Sequence, residues 1–72
     1  MNRIIKLGNR KFLLMKYKNY EVFKIDKIKN ENIYTLYKLD KEYSYTENKD
    51  IWIIKISTPC INECYDYMNN YF

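Results

Sequence analysis

Short apolar segments separated by polar turns dominate the first 57 residues of the chain. Alternation of apolar and polar positions, with many Ile, Tyr and Phe side chains, predicts β-strands at about 3–7, 11–18, 20–28, 32–39, 43–46 and 51–57. Residues 8–10, 29–31 and 47–49 are rich in Gly, Asn and charged side chains, which favour tight turns. Because the segments are closely spaced, we expect neighbouring strands to pair antiparallel as a meander.

The last segment has a helical period instead. Thr58 is a candidate N-cap, and Pro59 occupies a position where a first helical turn tolerates proline. At about 100° per residue, one arc collects Cys60, Ile61, Cys64, Tyr65, Tyr67, Met68, Tyr71 and Phe72, and the opposite side collects Asn62, Glu63, Asp66, Asn69 and Asn70. This pattern predicts an amphipathic helix at about 59–71 that covers either the sheet or a partner.

These elements predict an α+β fold with a single domain over residues 1–72. We expect an antiparallel meander sheet of five to six strands and one C-terminal amphipathic helix. The sheet is either open or closed into a small SH3-like barrel, since both arrangements give the strands one inner face.

Sorting the strand residues by alternation separates two faces. The first has uncharged strand centres and is the predicted core: Ile5, Leu7, Leu13, Met15, Tyr17, Phe23, Ile25, Ile33, Tyr37, Leu39, Trp52, Ile54 and Ile56. The second is half apolar and basic: Ile4, Lys6, Phe12, Leu14, Lys16, Lys18, Tyr20, Val22, Lys24, Tyr34, Leu36, Lys38, Ile51, Ile53 and Lys55. We interpret it either as a binding surface or as an ordinary surface on which lysine stems lie over apolar side chains. On this assignment, Ile54→Asp or Met68→Asp should abolish folding.

Composition excludes several kinds of chemistry. Lys, Asn, Ile and Tyr make up 39 of the 72 residues, and because A/T-rich codons encode them, we attribute their abundance largely to genomic drift. The absence of histidine excludes imidazole bases and histidine metal ligands, and the single glycine excludes a glycine-rich phosphate loop. Cys60 and Cys64 alone cannot complete a tetrahedral zinc site, and we interpret them as reduced core residues, with redox or intermolecular disulfide roles as alternatives. We therefore expect no enzymatic activity, no cofactor and no metal site.

Positive charge is concentrated near the N-terminus. Residues 1–20 contain six basic side chains and no acid, whereas residues 57–72 contain two acids and no base; the net charge is +4. A basic segment attracts acidic protein surfaces and nucleic-acid backbones, and neighbouring tyrosines can stack on unpaired bases. The predicted partner-binding residues are Arg10, Lys11, Lys16, Tyr17, Lys18 and Tyr20.

Three functional hypotheses follow from these patterns. The first is a small non-enzymatic binding protein that docks on and occludes a protein or protein–nucleic-acid complex. Its short, motif-free sequence is typical of phage or mobile-element accessory proteins that inhibit host defence complexes. The second is a sequence-nonspecific nucleic-acid-binding protein that uses the basic, tyrosine-containing face, and the third is a homodimeric structural protein. Since no apolar run approaches the roughly 20 residues of a membrane span, we expect a cytoplasmic protein without membrane contact.

Overall fold

The computed structural model describes residues 3–16 and 19–71 of the protein. Five strands and two helices follow one another along the chain: β1 (Arg3–Gly8), β2 (Lys11–Lys16), β3 (Asn19–Lys27), β4 (Tyr34–Leu39), α1 (Lys41–Glu47), β5 (Trp52–Thr58) and α2 (Ile61–Asn69). The strands form one antiparallel sheet in the order β1-β2-β3-β4-β5. The predicted meander is thus confirmed with five strands, and because β1 and β5 form opposite edges, the sheet is open and not an SH3-like barrel.

The turns form where the backbone adopts positive φ angles. Gly8 has φ 125° and Arg10 has φ 58° in the β1–β2 connection, and Asn30 has φ 68° between β3 and β4. Asn48, with φ 55°, ends α1 in a left-handed conformation, and its N–H donates to the carbonyls of Ser44 and Tyr45. Asparagine and glycine tolerate this conformation better than most residues, and Gly8, Asn30 and Asn48 each lie in one of the three predicted turn segments.

The predicted strand at residues 43–46 is wrong, because this segment lies within helix α1. The Asp40 carboxylate accepts a hydrogen bond from the Tyr43 N–H at 2.9 Å and caps the first turn. Apolar packing contributes little to α1, since none of its residues is buried. Instead, Ser44 Oγ accepts the Ile51 N–H at 2.8 Å, and the Asp40 N–H donates to the Ile51 carbonyl at 2.9 Å. These two bonds fix α1 across the start of β5.

Removal of the α1 cap should loosen this helix without unfolding the sheet. We expect Asp40→Ala to lower the free energy of unfolding by about 1 kcal/mol, the usual cost of losing an N-cap side chain. Faster amide hydrogen exchange at Tyr43 would report the local effect. Glu42→Ala, an exposed change in the same turn, is the control and should alter exchange less. Equal exchange rates in the two variants would contradict the capping role of Asp40.

The C-terminal helix is confirmed, although it begins later than predicted. Cys60 occupies the N-cap position, and its side chain makes no capping hydrogen bond. Thr58 stabilises the helix start instead: its Oγ1 accepts the Cys60 N–H at 3.1 Å and donates to Glu63 Oε2 at 2.5 Å. Phe72, assigned to the apolar arc, lies outside the described residues.

The two cysteines differ in environment. Cys64, a residue of α2, is fully buried against the sheet, as predicted, and burial raises the pKa of its thiol. Cys60 is exposed, contrary to the prediction that it faces the core. Both are free thiols.

The hydrophobic core lies between α2 and one face of the sheet. Its buried members come from β2, β3, β4 and α2: Phe12, Leu14, Phe23, Ile25, Leu36, Cys64 and Met68. Two ring contacts hold the helix on the sheet, Phe12 against Tyr65 at 5.7 Å and Phe23 against Tyr71 at 5.5 Å between centroids. Both pairs are close to edge-to-face, a favourable geometry for aromatic rings.

The predicted core face is therefore only partly correct. Phe23, Ile25 and Ile56 do pack under α2, but Phe12, Leu14 and Leu36, assigned to the basic face, are buried beside them. In β2 and β4 the predicted assignment exchanged the two sets of alternating side chains, because a shift of one residue moves every side chain of a strand to the other face. In β5 the alternation of side chains is interrupted by a bulge. Leu36 pairs with Ile56 but Tyr37 pairs with Ile54, so Lys55 is an extra residue without a partner in this register. As a result, Ile54 lies on the face away from α2.

Glu21 forms salt bridges with Lys38 and Lys41 at the edge of the core, near Tyr71. Glu21 Oε2 lies 3.2 Å from Lys38 Nζ and 3.6 Å from Lys41 Nζ, and the Lys38 ammonium also lies 5.6 Å from the Tyr71 ring centroid. Burial lowers the pKa of Lys38, but the Glu21 carboxylate and Tyr71 raise it by more, so it ends above its usual value of 10.5. This network joins β3, β4 and the start of α1.

Candidate docking surface on the open face of the sheet

The face of the sheet opposite α2 has no helix layer among the described residues. Antiparallel partners point to the same side, so the register assigns each strand residue to one face. The uncovered side contains Arg3, Ile5, Lys11, Leu13, Met15, Tyr20, Val22, Lys24, Asp26, Thr35, Tyr37, Leu39, Trp52, Ile54 and Ser57. We call this surface the open face.

An apolar row crosses the open face with one side chain from each strand. Ile5 pairs with Leu13, Leu13 with Val22, and Leu39 with Trp52. Phe23 pairs with Lys38, so Val22 and Leu39 are the next residues in line and complete the row. None of the five is buried, whereas the central side chains under α2 are fully buried. Ile54, which pairs with Tyr37 next to this row, is 61% exposed.

The ammonium group of Lys24 lies over two aromatic rings of the open face. Lys24 Nζ is 5.0 Å from the Tyr37 ring centroid and 4.8 Å from the Trp52 ring centroid, and 3.8 Å from Asp26 Oδ2. The register explains this arrangement, because Lys24 stands between Lys11 and Tyr37 on neighbouring strands. These distances favour cation–π attraction and position the Lys24 charge near the centre of the surface.

The open face is basic as well as apolar. Its ionisable side chains are Arg3, Lys11 and Lys24 against Asp26, three cations and one carboxylate. The outer side of α2 has the opposite sign, with Glu63 and Asp66 exposed. A surface that would bind the open face therefore needs apolar side chains for the row and negative charge for the cations.

The predicted partner-binding residues do not form one patch. Lys11 and Tyr20 lie on the open face, but at opposite ends of the strands. Lys16 pairs with Asn19 and belongs to the side of α2, and Arg10 lines a cleft beside that helix. Tyr17 and Lys18 lie outside the described residues.

Sequence reasoning missed the aromatic centre of the open face. Tyr37, Leu39 and Trp52 were assigned to the core because their strand positions are uncharged, and Lys24 was assigned to the other face. A usable signal was available in the single long amphipathic helix: one helix covers one face, so one of two apolar faces must remain open.

Within residues 3–16 and 19–71, no three Cys, Asp or Glu side chains come together as metal ligands. Neither described helix has the length and apolar character required to cross a membrane.

The chain matches no family model, no curated protein and no solved structure.

Proposed function

We propose that this chain is a non-enzymatic binding protein that docks on a protein partner through the open face and occludes the surface it covers. The observation that supports this proposal most directly is the uncovered row Ile5, Leu13, Val22, Leu39 and Trp52. Contiguous apolar surface of this kind is unfavourable in water and is typical of interaction sites.

The chemistry of the open face specifies the partner. Trp52 and Tyr37 are large, half-buried aromatic side chains of the kind that contribute most to binding energy. The partner should supply an apolar patch for the row and carboxylates at its edge for Arg3, Lys11 and Lys24. A symmetric pair of open faces would bring together two surfaces that each carry a net positive charge, which disfavours the homodimer. Inhibition of a host defence complex by a phage or mobile-element protein is the role we propose for this docking.

Single-stranded nucleic acid is the second candidate, supported by the basic charge and by three aromatic side chains on the open face. Stacking of a base, however, needs a free ring face. Lys24 already lies over Tyr37 and Trp52, and Lys41 Nζ lies 5.2 Å from the Tyr20 ring centroid. Bases would have to displace these ammonium groups, so we favour the protein partner.

Affinity capture with matched variants tests the proposal. Ile54→Asp introduces a charge on the open face, and Ile28→Asp introduces the same charge at a side chain 45% exposed beyond the end of β3. From a nuclease-treated bacterial lysate, we expect the wild type and Ile28→Asp to retain the same protein and Ile54→Asp to lose it. With the purified partner, the dissociation constant should rise at least about tenfold for Ile54→Asp.

Three outcomes would contradict the proposal. Retention of the partner by Ile54→Asp would place the docking surface elsewhere. Loss of capture after nuclease treatment, with a mobility shift that weakens steeply with salt, would favour the nucleic-acid hypothesis. A concentration-dependent dimer in sedimentation, abolished by Ile54→Asp, would favour the homodimer.

A further inference from the structure

A cleft of about 370 Å³ opens on the side of the sheet that α2 covers, next to the first turn of that helix. Its volume falls within the range of small-molecule sites, roughly 300 to 1,000 Å³. Its apolar lining includes Phe12, Ile25 and Ile61, of which the first two are buried core residues. Tyr34 and Tyr65 also line the cleft. The interior therefore suits a flat or branched apolar group.

The rim of the cleft is cationic. Lys6, Arg10 and Lys27 line it, and no carboxylate does so among the residues that the structure describes. Register places two of these cations beside aromatic residues of the lining, because Lys6 pairs with Phe12 and Lys27 pairs with Tyr34. Three cations beside an apolar lining favour a ligand that joins an anionic group to an apolar body.

The backbone of Arg10 is fixed at the edge of the cleft. It adopts φ 58°, and its carbonyl accepts the Ile25 N–H at 2.9 Å, which ties the β1–β2 turn to β3. The edge-to-face contact between Phe12 and Tyr65 packs two of the lining side chains against each other. A site whose lining is already packed loses less conformational entropy when it binds a ligand.

We propose that this cleft binds a small organic anion, with an aromatic or branched apolar body and a carboxylate, sulfonate or phosphate at one end. The body lies on Phe12, Ile25 and Ile61, and the anionic group meets Lys6, Arg10 and Lys27. The site is independent of the open face, since it lies on the opposite side of the sheet.

A pair of fluorescent probes that differ in one charge tests the proposal. Anilinonaphthalene sulfonate has an aromatic body and a sulfonate, and N-phenylnaphthylamine has the same body without charge. We expect the sulfonate to bind with one-to-one stoichiometry and about tenfold more tightly than the neutral probe, as charge-assisted contacts allow. Equal affinity for the two probes would overturn the proposal.

Charge-neutralising variants locate the binding. The double variant Arg10→Gln/Lys27→Gln changes exposed side chains only, and we expect it to weaken sulfonate binding about tenfold while leaving the neutral probe unaffected. Lys24→Gln, on the open face, is the matched control and should bind like the wild type. If sulfonate binding were lost in the control but not in the double variant, the probe would bind at the open face, and the proposed site in the cleft would be wrong.

Chemical-shift mapping on the wild type provides evidence that needs no variant. Titration with the sulfonate should shift the resonances of Phe12, Ile61 and Tyr65 and leave those of Val22 and Trp52 unchanged. The reverse pattern would overturn the proposal. Since the readout uses neither the protein partner nor the open face, failure here and failure of the docking hypothesis are distinguishable.

Discussion

Met68→Asp should prevent folding, whereas Ile54→Asp should give a folded protein. Met68 is fully buried between α2 and the sheet, so the substitution creates a cavity and places an unpaired carboxylate in the core. A chain of 72 residues has a free energy of unfolding of roughly 4 to 11 kcal/mol, and the expected cost of several kcal/mol removes most or all of it.

The comparison with Ile54 makes this prediction specific to the structure. Ile54 is 61% exposed and lies on the open face, so an aspartate there remains hydrated. We expect a change in unfolding free energy of no more than about 1 kcal/mol. Circular dichroism and urea denaturation measure both variants. A loss of cooperative unfolding in Ile54→Asp would mean that the open face is buried and that the core is assigned to the wrong side.

Neutralising Glu21 should cost more than neutralising Asp26, although both carboxylates belong to β3. Glu21 and Lys38 are only 16% and 17% exposed, and Glu21→Gln leaves the Lys38 ammonium partly desolvated without its anion. We expect a loss of about 2 kcal/mol for Glu21→Gln. Asp26 is 53% exposed and 3.8 Å from Lys24, so Asp26→Asn should cost no more than about 0.5 kcal/mol.

The pH dependence of this difference follows from the raised pKa of Lys38. A cation whose pKa is higher in the folded state contributes stability that is fully present below its unfolded value of 10.5 and is lost as the pH rises through the folded value. The wild type should therefore keep its advantage over Glu21→Gln from neutral pH up to about pH 10 and lose it above pH 10.5. Urea denaturation at several alkaline pH values checks this prediction. If the difference in unfolding free energy between the wild type and Glu21→Gln stayed constant with pH, Lys38 would be excluded as its source.

The five strands of the meander and the C-terminal helix could be predicted from the sequence because the turn residues are unambiguous. Gly8, Asn30 and Asn48 all adopt positive φ, and the regular period of residues 60–72 indicates the helix. In the segment around α1, the aromatic residues Tyr43 and Tyr45 favoured a strand. The local caps decided the outcome, since Asp40 begins the helix and Asn48 ends it.

The faces of the sheet could not be predicted from alternation alone. Residues 12–15 are apolar on both sides, so the pattern in β2 has no contrast between core and surface. The face on which each β3 residue lies follows from the pairing of Lys16 with Asn19, and in β5 it follows from the extra residue Lys55. A bulge of this kind leaves no signature in the apolar pattern, which is why Trp52 and Ile54 were placed in the core.

The meander order has a consequence for how the chain folds during synthesis. Each strand pairs with its neighbour along the chain, so hairpins can form with short loop closures as the chain is made. Among the described residues, however, it is α2 that covers the core face, and this helix follows all five strands in the sequence. Until its residues leave the ribosome, the nascent sheet exposes apolar side chains on both sides. Protein synthesis adds roughly 5 to 20 residues per second, so this interval lasts on the order of seconds. During it, the edge strands β1 and β5 are the parts of the sheet most open to aggregation or chaperone binding.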